Sequence, residues 1–238
     1  MKTAMVPPHN YSVGALLRGE VATLGAWTAE WQTARVVRDV TVICCGAGLF
    51  GAAVGWWRAP QQALFAGVKL PLILLLTAGG NALLNAMLAP LLGLHLRFQQ
   101  SFLALLTSFA LAATILGAFS SLVAFIIWNA PPLTAGGPHN ATIHAMILLL
   151  LVAAIAFAGV AANLRLLQLL HGLAGDGAAA WRVLLAWLAG NLFLGSQLSW
   201  ILRPFIGSPG LPVEFLRSDA FNGNFYEAVF RSSVHLLN

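Results

Sequence analysis

The chain has 238 residues, of which 59% are hydrophobic and only 8% are charged. Soluble domains carry about a quarter charged residues, so this composition excludes a water-soluble fold and predicts an integral membrane protein with the lipid bilayer as its first partner. The net charge is +5, but there is no run of basic residues and no alternation of basic with aromatic residues, which argues against nucleic acid as a partner.

Residues 1–38 are predicted to form an N-terminal segment at the membrane surface. Within it, residues 12–36 place apolar side chains at helical spacing, which predicts an amphipathic helix lying in the plane of the interface. A soluble helix that docks on a partner is the alternative. The apolar stripe consists of Leu17, Val21, Leu24, Trp27 and Trp31.

Five apolar segments follow and predict a transmembrane domain over residues 39–203. The first begins at about Val40, directly after Asp39, and ends at Trp57. Each segment is long enough, or nearly so, for the roughly 20 residues that a spanning helix needs. The last three spans are predicted at 102–128, 142–162 and 181–200.

The second apolar segment, residues 61–94, is too long for a single span. As one helix it would extend about 50 Å at 1.5 Å per residue. Lys69 and Pro71 interrupt its apolar character, since a charge is costly in lipid and a proline favours a helix boundary. We therefore expect a short interfacial helix over 61–69 and a span over about 70–94.

Small residues and amides mark the predicted contacts between the spans. Gly51 and Gly55 lie four residues apart, which allows a second helix to approach closely. Asn81 and Asn85 have the same spacing, so both amides point to one side of their helix. Hydrogen bonds that fix the bundle are the preferred interpretation, and a polar cavity or pigment-ligand site is the alternative. The partners available on other spans are Asn191, Asn163 and Gln197.

The tail, residues 204–238, is predicted to begin irregularly and to end in a short amphipathic helix. Asn224 with Glu227 three residues later has the pattern of a helix N-cap. The apolar side of this helix is predicted to dock on a protein partner or on the chain's own surface. The docking residues are Phe225, Val229, Phe230 and Val234.

No group of residues predicts catalysis. The acidic residues lie outside the predicted spans or at their edges, whereas proton-coupled carriers need a carboxylate inside the membrane. The six histidines are scattered along the chain, and no metal-binding or nucleotide-binding motif occurs. We therefore expect no enzyme and no metal site, and the sequence does not identify a cofactor.

The connection between the second and third spans carries two short motifs. They are Leu91-Leu92-Gly93 and, after a polar step, Gln99-Gln100-Ser101-Phe102. On these residues and the Ser-, Ala- and Gly-rich span that follows, residues 61–128 resemble the middle of bacterial members of the Yip (Ypt-interacting protein) family. The resemblance implies five membrane helices, a cytoplasmic N-terminus and a role in membrane organisation and trafficking without catalytic residues. The tail from Leu202 onward extends past the usual end of such proteins.

These features together predict an all-α polytopic bundle of five transmembrane helices with amphipathic interfacial helices near both termini. The leading function is a non-enzymatic scaffold or accessory subunit whose partners are other membrane protein subunits. The alternatives are a small-solute channel or facilitator and a pigment- or lipid-binding subunit of an energy-converting complex. With five spans, seven of the 12 basic residues lie on the same side of the membrane as the N-terminus. This bias favours a cytoplasmic N-terminus in a bacterial inner membrane.

Overall fold

The described part of the chain folds into five long helices. The computed structural model describes residues 31–88, 91, 98–131, 133, 140–174, 177–207 and 210–227, and no strand occurs within these ranges. The helices are α1 (Thr33–Trp56), α2 (Pro60–Leu88), α3 (Phe98–Asn129), α4 (Asn140–Ala174) and α5 (Gly177–Ile201).

All five helices are long and apolar enough to cross a membrane. Even the shortest, α1, has 24 residues and would extend about 36 Å, against about 30 Å for the hydrocarbon core. The predicted all-α fold with five spans is therefore confirmed, and the protein is an integral membrane protein. The predicted interfacial helix over 12–36 lies outside the described residues as far as residue 30, and its last residues belong to α1.

The first span begins earlier than the sequence predicts. α1 starts at Thr33, seven residues before Val40, so Asp39 lies in its second turn and not in front of it. Asp39 is 3% exposed. Its carboxylate accepts a 2.6 Å bond from Arg38 and a 3.1 Å bond from the Thr107 hydroxyl. Because both groups compensate the buried charge, the helix can include this polar stretch, and Asp39 lies inside α1 although it precedes the apolar segment.

The second apolar segment forms one helix, so its predicted division into 61–69 and 70–94 is also wrong. α2 continues through Pro71. A proline deprives the carbonyl of Gly67 of its donor, but tightly packed membrane helices tolerate that loss, and Gly48 of α1 lies directly against Gly67. Lys69 does not end the helix either, because its buried ammonium finds an acceptor elsewhere in the chain.

The helices close a ring in the order α1, α3, α4, α5 and α2, and α2 also contacts α3 across it. The best-packed part lies around α1, where Ile43, Phe50 and Leu105 are fully buried. The main contacts of α5 are with α2 and α4. The buried core is therefore concentrated on the α1 side of the ring, and α5 lies on the opposite side.

Candidate functional site

A line of polar side chains extends along α2 on the side that faces α5 and the tail. Its members are separated by seven, eight, four and four residues, which keeps them on one winding side of the helix. All five side chains are buried, where polar groups require hydrogen-bond partners. They are Gln62, Lys69, Thr77, Asn81 and Asn85.

Three amides form a hydrogen-bonded group between α2 and α5. Asn81 Nδ2 donates to the carbonyl of Trp187 at 2.8 Å and to Asn191 Oδ1 at 2.6 Å. Asn85 Nδ2 donates to Asn81 Oδ1 at 2.7 Å. A Cβ atom at Gly190 would collide with Asn81 Oδ1, so the glycine leaves the space in which this amide lies. The structure thus joins Asn81 and Asn85 to Asn191, which is one of the three partners that the sequence left open.

Near the start of α2, the same row of polar side chains binds the first residues of the tail. Gln62 Nε2 donates to the carbonyls of Pro204 and Phe205 at 2.9 and 2.8 Å. The Lys69 ammonium donates to the Pro204 carbonyl at 3.1 Å and lies 5.1 Å from the ring centroid of Phe215. Lys69 is completely buried, although the sequence placed it in a surface helix. Its side chain extends towards the start of α2, as lysine does near a membrane surface.

The tail is fixed to the bundle at further points. Arg58 donates to the Leu211 carbonyl at 3.0 Å. Arg203 forms an ion pair of 3.2 Å with Asp219, and its guanidinium lies 3.7 Å from the centroid of the Trp200 ring. Gly207 has a φ of 86°, a conformation that glycine adopts without strain, and here it lets the chain pass against the Arg58 side chain. Residues 202–207 and 210–227 are therefore part of the fold.

The predicted cap of the tail helix is confirmed, because the amide of Glu227 donates to Asn224 Oδ1 at 2.9 Å. Of the predicted docking residues, Phe225 is partly exposed and packs edge-on against Tyr226. Tyr226 stacks on Phe193 of α5. Tyr226 is not among the residues predicted from the sequence, although its aromatic ring beside Phe225 was the available signal. Val229, Phe230 and Val234 lie outside the described residues.

The glycines of α1 lie where other helices approach. A Cβ at Gly51 would collide with the carbonyl of Ala66, and one at Gly55 would lie 2.6 Å from the carbonyl oxygen of Gln62. Both glycines therefore contact the backbone of α2, as the small-residue spacing leads one to expect. Gly46, which the sequence analysis did not select, touches the backbone of Ala113 on α3 in the same way.

α5 combines the lowest burial with the least apolar sequence of the five spans. Only 11% of its span is buried within the chain, compared with 44% for α2. Gln197 and Ser199 are half-exposed, and the Gln197 side chain makes no hydrogen bond to the part of the chain that the structure describes. Polar residues of membrane helices normally face the protein interior. The described residues therefore leave part of the polar surface of α5 without a hydrogen-bond partner.

The described residues contain no group of three or more metal-ligating side chains. Comparison with protein-family models, curated proteins and solved structures gives no match to the chain. The resemblance of residues 61–128 to the Yip family stays a prediction.

Proposed function

We propose that the protein is a non-enzymatic scaffold or accessory subunit that binds another integral membrane protein along α5. The observation that carries the proposal is the combination of low burial and polar sequence in this helix. By contrast, α4 is the most apolar span, as suits a helix that faces lipid. The hydrocarbon core of the bilayer offers the Gln197 side chain no hydrogen-bond partner, whereas a second membrane protein does.

The buried polar residues of α2 support a structural role in such a subunit. Gln62, Lys69, Asn81 and Asn85 all donate hydrogen bonds within the chain. These bonds connect α2 to α5 and to the tail. They hold α5 on the side of the ring opposite α1, where the described tail covers it only near Phe193 and Ser196. The rest of its outer side is open for docking.

Replacing Gln197 with leucine is expected to weaken the association without unfolding the subunit. A hydrogen bond between membrane helices contributes about 0.6–2 kcal/mol, so the dissociation constant should rise about 3- to 30-fold. Native purification in mild detergent followed by mass spectrometry measures the fraction of chain in the larger complex. Gln168→Leu is the matched control, because Gln168 is exposed on α4 and bonds only to Arg165 within the described chain. Equal loss of the complex in both variants would contradict docking through α5.

A small-solute facilitator is the second candidate, and a separate observation favours it. Several buried polar atoms at or near the α2–α5 contact make no hydrogen bond within the described chain, among them Thr77 Oγ1, Asn85 Oδ1 and Trp187 Nε1. A polar solute could satisfy such atoms during passage. Flux of small neutral solutes into liposomes that contain the purified subunit would favour this function, and complex formation without flux would favour the scaffold.

We further propose a bacterial inner membrane and a cytoplasmic N-terminus. Seven basic residues lie on the N-terminal side of the membrane and five on the other. Arg35 and Lys69 are buried, which leaves six against four that can act at the two surfaces. Five spans place the chain ends on opposite sides. Reporter fusions at residue 10 and residue 238 should therefore give a cytoplasmic signal for the first and a periplasmic signal for the second. The reverse pattern would overturn the orientation, and signals from one side would overturn the five spans.

A further inference from the structure

Tryptophans define the membrane level at one end of the bundle. α1, α3 and α5 end at the same membrane face, here called the tail face. Trp56, Trp128 and Trp200 lie at or next to the ends of these three helices, and Trp128 is 83% exposed. Tryptophan is enriched where the hydrocarbon core meets the headgroups. These three residues therefore mark the boundary of the bilayer at the tail face.

The tail contacts the bundle at two levels relative to this boundary. Its polar contacts lie at the boundary, since Arg58 and Arg203 come two residues after the ends of α1 and α5. Arg58 holds the backbone of Leu211, and Arg203 holds Asp219. These two tail residues are thus fixed near the headgroups.

Between and after these points the tail reaches deeper positions. The ring of Phe215 packs edge-on against Phe65, with centroids 5.4 Å apart. Phe65 is five residues after Pro60, which is about 7.5 Å along the helix axis. Phe215 also covers the buried ammonium of Lys69, so the ring lies beside α2 within the outer part of the span.

The second deep position is at the start of the tail helix. Tyr226 stacks on Phe193 with centroids 6.0 Å apart, and the hydroxyls of Tyr226 and Ser196 are 3.1 Å apart. Ser196 and Phe193 precede the end of α5 at Ile201 by five and eight residues, or about 7.5 and 12 Å. The chain has therefore turned back along α5 towards the bilayer centre.

We infer that the tail re-enters the bilayer at Phe215–Leu216 and Phe225–Tyr226, where its exposed apolar side chains contact the acyl chains of the tail-face leaflet. All four residues are partly exposed, and their depth places that exposed surface opposite lipid. The polar contacts of Leu211 and Asp219 at the boundary separate the two re-entrant points. For Phe225 this assigns a lipid contact, whereas the sequence predicted docking on a protein partner or on the chain's own surface.

Spin labels can measure this immersion in the full-length protein. Cys44 and Cys45 are both exposed and are replaced with alanine first. Nitroxide labels are then placed singly at Leu216 and Phe225, with Ser218 as the control between the re-entrant points and Leu192 as the lipid reference on α5. In liposomes of purified protein, oxygen and a water-soluble nickel chelate report lipid and water access respectively.

The labels at Leu216 and Phe225 are expected to behave like the label at Leu192. Each should be relaxed by oxygen and be several-fold less accessible to nickel than the label at Ser218. Nickel access equal to that at Ser218 would place the tail in water and overturn the inference. Protection from both reagents together with dipolar broadening would mean that a second copy covers the surface, which would overturn it as well.

A second measurement retains an aromatic ring at position 225, which guards against a spin label that disturbs the fold. A photoreactive phenylalanine analogue at Phe225 is illuminated in liposomes of one defined phospholipid. A mass increase equal to that phospholipid supports the inference. A covalent dimer of the chain, or water addition alone, overturns it.

Discussion

Replacing Asn81 and Asn85 together with leucine is expected to lower the free energy of unfolding in detergent by about 1–3 kcal/mol. Asn81 donates to Trp187 and Asn191 on α5, and Asn85 donates to Asn81. Hydrogen bonds between membrane helices contribute about 0.6–2 kcal/mol each, and the change also leaves the Asn191 amide without its partner. Insertion should persist, because leucine makes α2 more apolar.

The stability of the double variant is measured by denaturant titration in one detergent, with Asn129→Leu as the matched control. Asn129 is exposed and its amide donates only within its own helix, to Phe125, so its replacement should have little effect. A double variant that unfolds like the wild type while losing solute flux would contradict the structural role. It would then favour the facilitator.

The spans could be predicted from the sequence because each depends on local composition. Hydropathy over some 20 residues decides insertion, and all five helices obey it. The helix boundaries depend on tertiary partners instead. Asp39 enters α1 because Thr107 on α3 donates to it, and α2 passes Lys69 because the Pro204 carbonyl accepts from its ammonium. No local pattern reveals either partner.

For the amide cluster, the sequence could predict only that Asn81 and Asn85 lie on the same face of their helix. The spacing of Asn81 and Asn85 fixes their common side, but three partners were available on other spans. The rotation of α5 selects Asn191. Asn163 instead donates to Gly159 in its own helix, and Gln197 stays outside the cluster. The position of the tail could not be predicted either. Side chains of the bundle bind its backbone carbonyl groups, and because every residue has such a group, no sequence pattern marks these contacts.

The contact between α1 and α3 should be the most sensitive to added volume. Gly46→Ala places a Cβ against the backbone oxygen and carbon of Ala113, and Gly117 faces the same point, where its own Cβ would lie 3.0 Å from Gly46 Cα. Backbone atoms cannot rotate away as a side chain can, so the two helices must separate. Overpacking of this kind typically lowers stability by about 1–3 kcal/mol.

Gly159→Ala provides the matched control for this substitution, since a Cβ at Gly159 on α4 would have no heavy atom within 4 Å. There alanine should leave stability unchanged or raise it by up to about 1 kcal/mol, because alanine is the better helix former. The two variants carry the same chemical change, so opposite signs in one denaturant titration would isolate the close approach of α1 and α3. Equal shifts would mean that helix propensity alone decides, and that the helices can separate at Gly46 with little loss of packing.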